Sequence, residues 1–171
     1  MPTTTIIQGV RLFDGKDVHS HTTVVFESSS GNIVSVSDSL KDTSIPEDAK
    51  ILDGSGHTLL PGLIDAHVHV YDLHLPKGAD HSQVLRQPLK CGVTTICDMH
   101  SDPSTIHKLR RQIEDEVNLA RQESKKVELC DIKSALYGAT IEGGWPKPIV
   151  LGHNPSDEVM ACNSLTVARP D

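Results

Sequence analysis

His67 and His69 are the residues of this chain best placed to do chemistry. They stand two positions apart in the run Pro61-Gly62-Leu63-Ile64-Asp65-Ala66-His67-Val68-His69-Val70. On a strand, side chains alternate between faces, so residues i and i+2 point the same way with Cα atoms roughly 6.5 Å apart. Two neutral imidazoles so placed could grip one divalent ion. The spacing alone is a weak signal, because the ten histidines of this chain give roughly 0.6 such pairs by chance. Context separates the two pairs that occur. His19-Ser20-His21 lies between Lys16-Asp17 and Thr22-Thr23, without an apolar pattern, and reads as a solvated loop. Around His67 and His69, by contrast, Leu59, Leu60, Leu63, Ile64 and Val68 form a nearly continuous apolar run. Such a run predicts a parallel strand buried on both faces, where an imidazole needs a partner. Two core histidines satisfied by backbone carbonyls remain the competing reading.

The elements that must position this pair are legible on either side of it. Thr5 to Gly15, Thr23 to Phe26, Gly31 to Val36 and Ile51 to Gly54 are short, β-branched stretches punctuated by Gly, Asn and Ser, and they predict strands. After the pair, Asp80 to Leu89 has helical spacing, with Pro88 interrupting its last turn and Cys91-Gly92 closing it. Gly92 to Met99 predicts a second strand. Asp102-Pro103-Ser104 then starts a helix that runs through Ile106, Leu109, Ile113 and Val117 to about Lys126, with a solvated charged face. Val127 to Tyr137 supplies a third strand, and Gly138, Gly143 and Gly144 mark a loop. Strands alternating with helices are the mark of βαβ units, so the fold class is α/β with parallel strands.

The stretch from Gly56 to His69 resembles the first-strand signature of the amidohydrolase superfamily, in which a Pro-Gly-apolar-apolar-Asp-x-His-x-His run begins a (β/α)8 barrel. The preceding strands are similar to the small β-sandwich that many of these hydrolases place before the barrel, and the resemblance covers about residues 3 to 158. It implies residues 1–60 as strands of that composite sandwich, 61–158 as the first three βα units of a TIM barrel, and 159–171 as an irregular tail. It also implies a hydrolase that breaks carbon–nitrogen bonds of a small-molecule substrate, in amides or dipeptide-like compounds, using water activated by a divalent metal, zinc foremost. His67 and His69 match the metal ligands. The further ligands of the superfamily, a lysine, two histidines and an aspartate, come from later strands, and no position here matches them. Lys133 falls one element too early for the lysine role. A complete barrel takes about 250 residues, and Pro61 to Asp171 supply fewer than half, so the chain reads as truncated, with weak metal binding and no appreciable turnover by itself.

Barrel active sites form at the C-terminal ends of the strands, which makes Asp98 and His100, at the end of the second strand, candidates for substrate binding. Asp98 has a competing role in making the turn or capping the next helix. His74 and His81 lie on the same rim, and His153 is a candidate loop contact. Trp145 stands where some prolidase-like and imidazolonepropionase-like relatives carry a histidine, which argues against carrying their substrates over.

Composition narrows the alternatives. A net charge of −7 with no basic patch or aromatic platform argues against a nucleic-acid binder. No run approaches the ~18 apolar residues of a membrane helix, and Met1 to Thr5 has no signal-peptide pattern, so a cytoplasmic location is expected. Cys91, Cys97, Cys130 and Cys162 show no Cys-x-x-Cys spacing, and the first three are expected to be reduced and buried. Two other function classes stay in play. One is a non-catalytic fragment that survives through association, since an open parallel sheet offers an unpaired edge. The other is a TatD-type metal-dependent nuclease, whose barrel also begins with His-x-His but without preceding sandwich strands.

Overall fold

The computed structural model describes residues 4–38, 46–70, 82–123, 125–136, 140–141 and 166–167. These group into two compact units that part between Gly62 and Leu63, residues 118–126 grouping with the first.

In the first unit, β1 (Thr4–Phe13) is central. It pairs antiparallel with β2 (Val18–Glu27), and β2 pairs antiparallel with β3 (Ile33–Ser37). On its other edge β1 pairs in parallel with β4 (Lys50–Asp53) along Thr5 to Gln8, and with β5 (Thr58–Leu59) at Arg11 and Leu12. Ile6, Val10, Val24 and Val25 form the buried apolar centre of this five-stranded sheet. The link from β4 to β5 passes very close to β1. The Gly54 N–H donates to the Gln8 carbonyl at 2.7 Å, and a Cβ at Gly54 would lie 2.8 Å from that oxygen and 2.8 Å from Val10 Cβ. Gly54→Ala is therefore expected to destabilise this unit by about 1–3 kcal/mol through overpacking. Urea unfolding measures it, and an unchanged midpoint would contradict the close approach.

The His19-Ser20-His21 pair belongs to β2 rather than to a loop, which corrects the sequence expectation. Between Val10↔Thr22 and Leu12↔His19 the strand β2 spends one residue more than β1, and His21 takes up a left-handed φ of 54°. A bulge of this kind breaks the i, i+2 alternation that would place both rings on one face. His19 is instead tied to the turn: its Nε2 lies 2.9 Å from Asp14 Oδ2. Asp14 Oδ1 accepts the Lys16 and Asp17 N–H groups, and the Asp17 bond, followed by those from His19 and Lys16, holds the Asp14 carboxyl at about 2. The same contact raises the His19 imidazole above its ordinary value.

The second unit is built on a parallel sheet in the order β6-β7-β8, from β6 (Leu63–Val68), β7 (Val93–Asp98) and β8 (Asp131–Ser134). α1 (Gln83–Lys90) and α2 (Pro103–Glu123) connect them in turn. Pro88 sits inside the last turn of α1, which closes with tightened bonds from Cys91 N–H to Pro88 O and from Gly92 N–H to Leu89 O. Gly92, with φ 82°, then reverses the chain into β7. At the start of α2, Asp102 Oδ1 accepts the Ser104 and Thr105 N–H groups. Burial pushes the Asp102 carboxyl up, but these bonds outweigh it and hold it below the usual range. Leu85, Ile96, Ile106, Leu109, Leu129, Cys130, Ile132 and Val70 form one buried cluster between helices and sheet.

Three sets of expectations need correction here, on element bounds, on cysteine burial and on strand exposure. β8 is confined to four residues, and α2 ends at Glu123, three short of Lys126. Of the cysteines, Cys130 is buried, whereas Cys91 is exposed and Cys97 half-buried. The third concerns β6, which is exposed rather than buried on both faces: Leu63 is 49% exposed and Ile64 64%. Among the described residues β6 pairs with β7 alone, so it is an edge strand, and its apolar run has no neighbour on the other side. Within the segment expected to be irregular, Thr166–Val167 (β10) pairs in parallel with Thr140–Ile141 (β9). No described helix is long and apolar enough to cross a membrane.

Candidate metal centre

The approach to the histidine pair is set by backbone bonding. Leu63 N–H donates to Gly92 O, which fixes the start of β6 against the start of β7. Between Asp65↔Ile96 and Val68↔Asp98 the strand β6 spends three residues against two, a bulge at Ala66 and His67. Asp65 caps this irregularity, its Oδ1 accepting the His67 N–H at 3.2 Å. The aspartate two positions before the first histidine is thus a backbone anchor for that histidine.

Beyond the bulge the two imidazoles meet. The ring centroids of His67 and His69 are 5.3 Å apart with an interplanar angle of 75°. Two imidazoles bound through nitrogen to one tetrahedral zinc, at about 2.0–2.1 Å each, place their centroids about 5 Å apart. The 5.3 Å separation is close to that value, and the two rings meet edge to face. Both rings are exposed, so burial does not force a metal on them as the apolar run had led one to expect. Among the described residues, no group of three or more His, Cys, Asp or Glu side chains is placed to hold a metal.

Asp98 and His100 close the C-terminal end of β7 beside this pair. Asp98 is fully buried, and both its oxygens accept hydrogen bonds: Oδ1 from Val70 N–H at 3.0 Å and from the Ser101 hydroxyl at 2.8 Å, Oδ2 from the Ser134 hydroxyl at 2.7 Å. His100 is half-buried, and its imidazole is held below the ordinary value by burial; Asp98 opposes this and His69 adds to it. A neutral ring at this rim can donate from one nitrogen and accept at the other. Sequence reasoning missed Ser101, Ser134 and the Val70 amide as partners of Asp98. Ser101, three residues on, was the one local signal. The rim also holds a strained residue, Leu136, with φ 61° and a carbonyl that accepts the Ser101 N–H at 2.9 Å. His74, His81, Trp145 and His153 lie outside the described residues.

No protein-family model matches the chain, and no curated protein sequence does. Solved structures do. An amidohydrolase is 22% identical over 99% of this chain and 41% of its own, with a TM-score of 0.60. Molinate hydrolase is 22% identical over 78% of this chain and 30% of its own, with a TM-score of 0.57. Ochratoxinase from A. niger is 18% identical over 99% of this chain and 41% of its own, with a TM-score of 0.54. The chain thus spans roughly a third to two-fifths of the length of these structures, and at these identities the likeness is one of fold.

Proposed function

We propose, from the premise that this chain has the fold of the corresponding part of amidohydrolases, that it carries the metal-binding entrance of a hydrolase acting on carbon–nitrogen bonds of small molecules. On this reading the parallel sheet is the first part of a (β/α)8 barrel and the five-stranded sheet belongs to the companion β-sandwich. The observation that supports it most is the 5.3 Å separation of the His67 and His69 rings at the C-terminal end of β6. His67 and His69 would hold a divalent metal, zinc foremost, which would supply a bound water acidic enough to ionise near neutral pH. The chain's own residues supply orientation. Asp65 fixes the backbone of His67, and His100 stands half-buried at the same rim, its imidazole held below the ordinary value by burial. Asp98 serves substrate binding by holding the turn that carries His100, through the Ser101 hydroxyl.

Two imidazoles fill half of a four-coordinate shell, which favours a second reading of the chain in isolation: a metal-binding part with no appreciable turnover of its own. Titrating the purified chain with zinc and then assaying it against N-acyl amino acids, dipeptides and cyclic amides tests both. Zinc bound through His67 and His69 is expected, with hydrolysis near the uncatalysed rate. Absence of zinc binding would overturn the metal reading, and rapid zinc-dependent turnover would overturn the second.

A further inference from the structure

The Asp98 carboxylate has no ordinary structural explanation in its own strand. It is a buried acid at the end of β7 whose oxygens reach out of that strand to both neighbours and to the following turn. Two of its partners lie 28 and 36 residues away in sequence. Next to it, Met99 N–H donates to the Val68 carbonyl at 2.9 Å. The residue between Val68 and Val70 is His69. Its backbone is therefore bracketed, by Met99 on the carbonyl before it and by Asp98 on the amide after it. This matters because β6 is an exposed edge strand, paired on one side only among the described residues. An edge strand frays unless its end is tied, and a ligand's direction is only as fixed as the backbone beneath it.

We infer that Asp98 is a positioning residue for the metal pair: through the Val70 amide it fixes the backbone that aims His69 at the ion shared with His67. The inference rests on the metal reading proposed above. Asp98 acts through the peptide at Val70, whose N–H its Oδ1 accepts at 3.0 Å. Ser134 and Ser101 hold the carboxylate itself, so the ends of β6, β7 and β8 and the turn into α2 are locked to one group. Outer partners of this kind change metal affinity by about 10–100-fold.

The variants that separate positioning from bulk stability are Asp98→Ala, Asp98→Asn and Leu109→Ala. Asn keeps an oxygen that can accept the Val70 amide, while its NH2 can donate to the Ser134 hydroxyl. Leu109→Ala weakens the same helix-covered core without touching that amide. Zinc affinity is read by competition with a chromophoric chelator, below the melting transition of each variant, and Val70 amide exchange is read by NMR. Asp98→Ala is expected to lose about 10–100-fold in zinc affinity and to lose Val70 protection. Asp98→Asn should retain both to within about threefold, and Leu109→Ala should bind zinc like the parent. If Asp98→Ala does not fold, Asp98→Ser, one atom shorter than the reach to Val70, carries the same expectation. Parent-like zinc affinity in the folded Ala or Ser variant, or an equal loss in Leu109→Ala, would overturn the inference. If the parent chain binds no zinc, the metal reading fails. In that case unchanged Val70 protection in Asp98→Ala would overturn the clamp as well, while its loss would leave the clamp as a holder of His69 alone.

Discussion

His69→Ala is expected to lower zinc affinity at least about 100-fold, because loss of an outer-sphere partner alone costs about 10–100-fold and loss of a ligand costs more. The pair supplies two imidazoles whose ring centroids already lie 5.3 Å apart. With one ring gone, the chelate becomes a single imidazole, and the ordering of the strand end no longer contributes to binding. A 100-fold loss corresponds to about 2.7 kcal/mol. His67→Ala should behave alike, and the double variant should be no worse than either single one by more than a few-fold, since each alone already breaks the chelate. Competition titration of the three variants measures this. The surface pair offers the control: His19→Ala should leave affinity unchanged, because its ring is engaged by Asp14 and a bulge separates it from His21.

Leu109→Ala should cost about 2–5 kcal/mol of stability, the range for truncating a fully buried leucine. Leu109 is 1% exposed and sits in the cluster that joins α1, α2, β7 and β8, alongside Leu85, Ile96, Ile106 and Ile132. The comparison with Ile64→Ala is the informative one. Both residues are large aliphatics in the same unit, but Ile64 is 64% exposed on the edge strand, and its truncation is expected to stay within about 0.5 kcal/mol. Urea unfolding of the two variants, followed by a probe of the second unit, gives both numbers. Equal losses would mean that β6 is covered in solution and that its exposure in the monomer is not the state measured.

The histidine pair was legible from its spacing and from the turn that starts the strand, but not through alternation along it, because a bulge falls at Ala66 and His67 and His69 lies one residue past β6. Asp65 was visible as part of the same run, although its work on the His67 amide needs the bulge, which no local pattern announces. The exposure of β6 was illegible for a different reason. An apolar run reports what a strand can bury, whereas burial depends on neighbours at both edges, and these are set by topology. The same distinction explains His19 and His21. Their polar surroundings predicted solvent correctly, but the pairing that draws them into β2 is made with Val10 and Leu12, across a turn. The Asp98 cluster is the extreme case, joining Val70, Ser101 and Ser134 across three strand ends. Only Ser101 stands near enough in sequence to be suspected.

X-ray absorption on the zinc-loaded chain is the most direct measurement of the central claim. Two histidine nitrogens at about 2.0–2.1 Å, with oxygen completing the shell, and the loss of both imidazole contributions in the His67→Ala/His69→Ala variant, are the predicted result. A zinc shell with no histidine, or one unchanged in that double variant, would contradict the assignment of His67 and His69 as the metal pair.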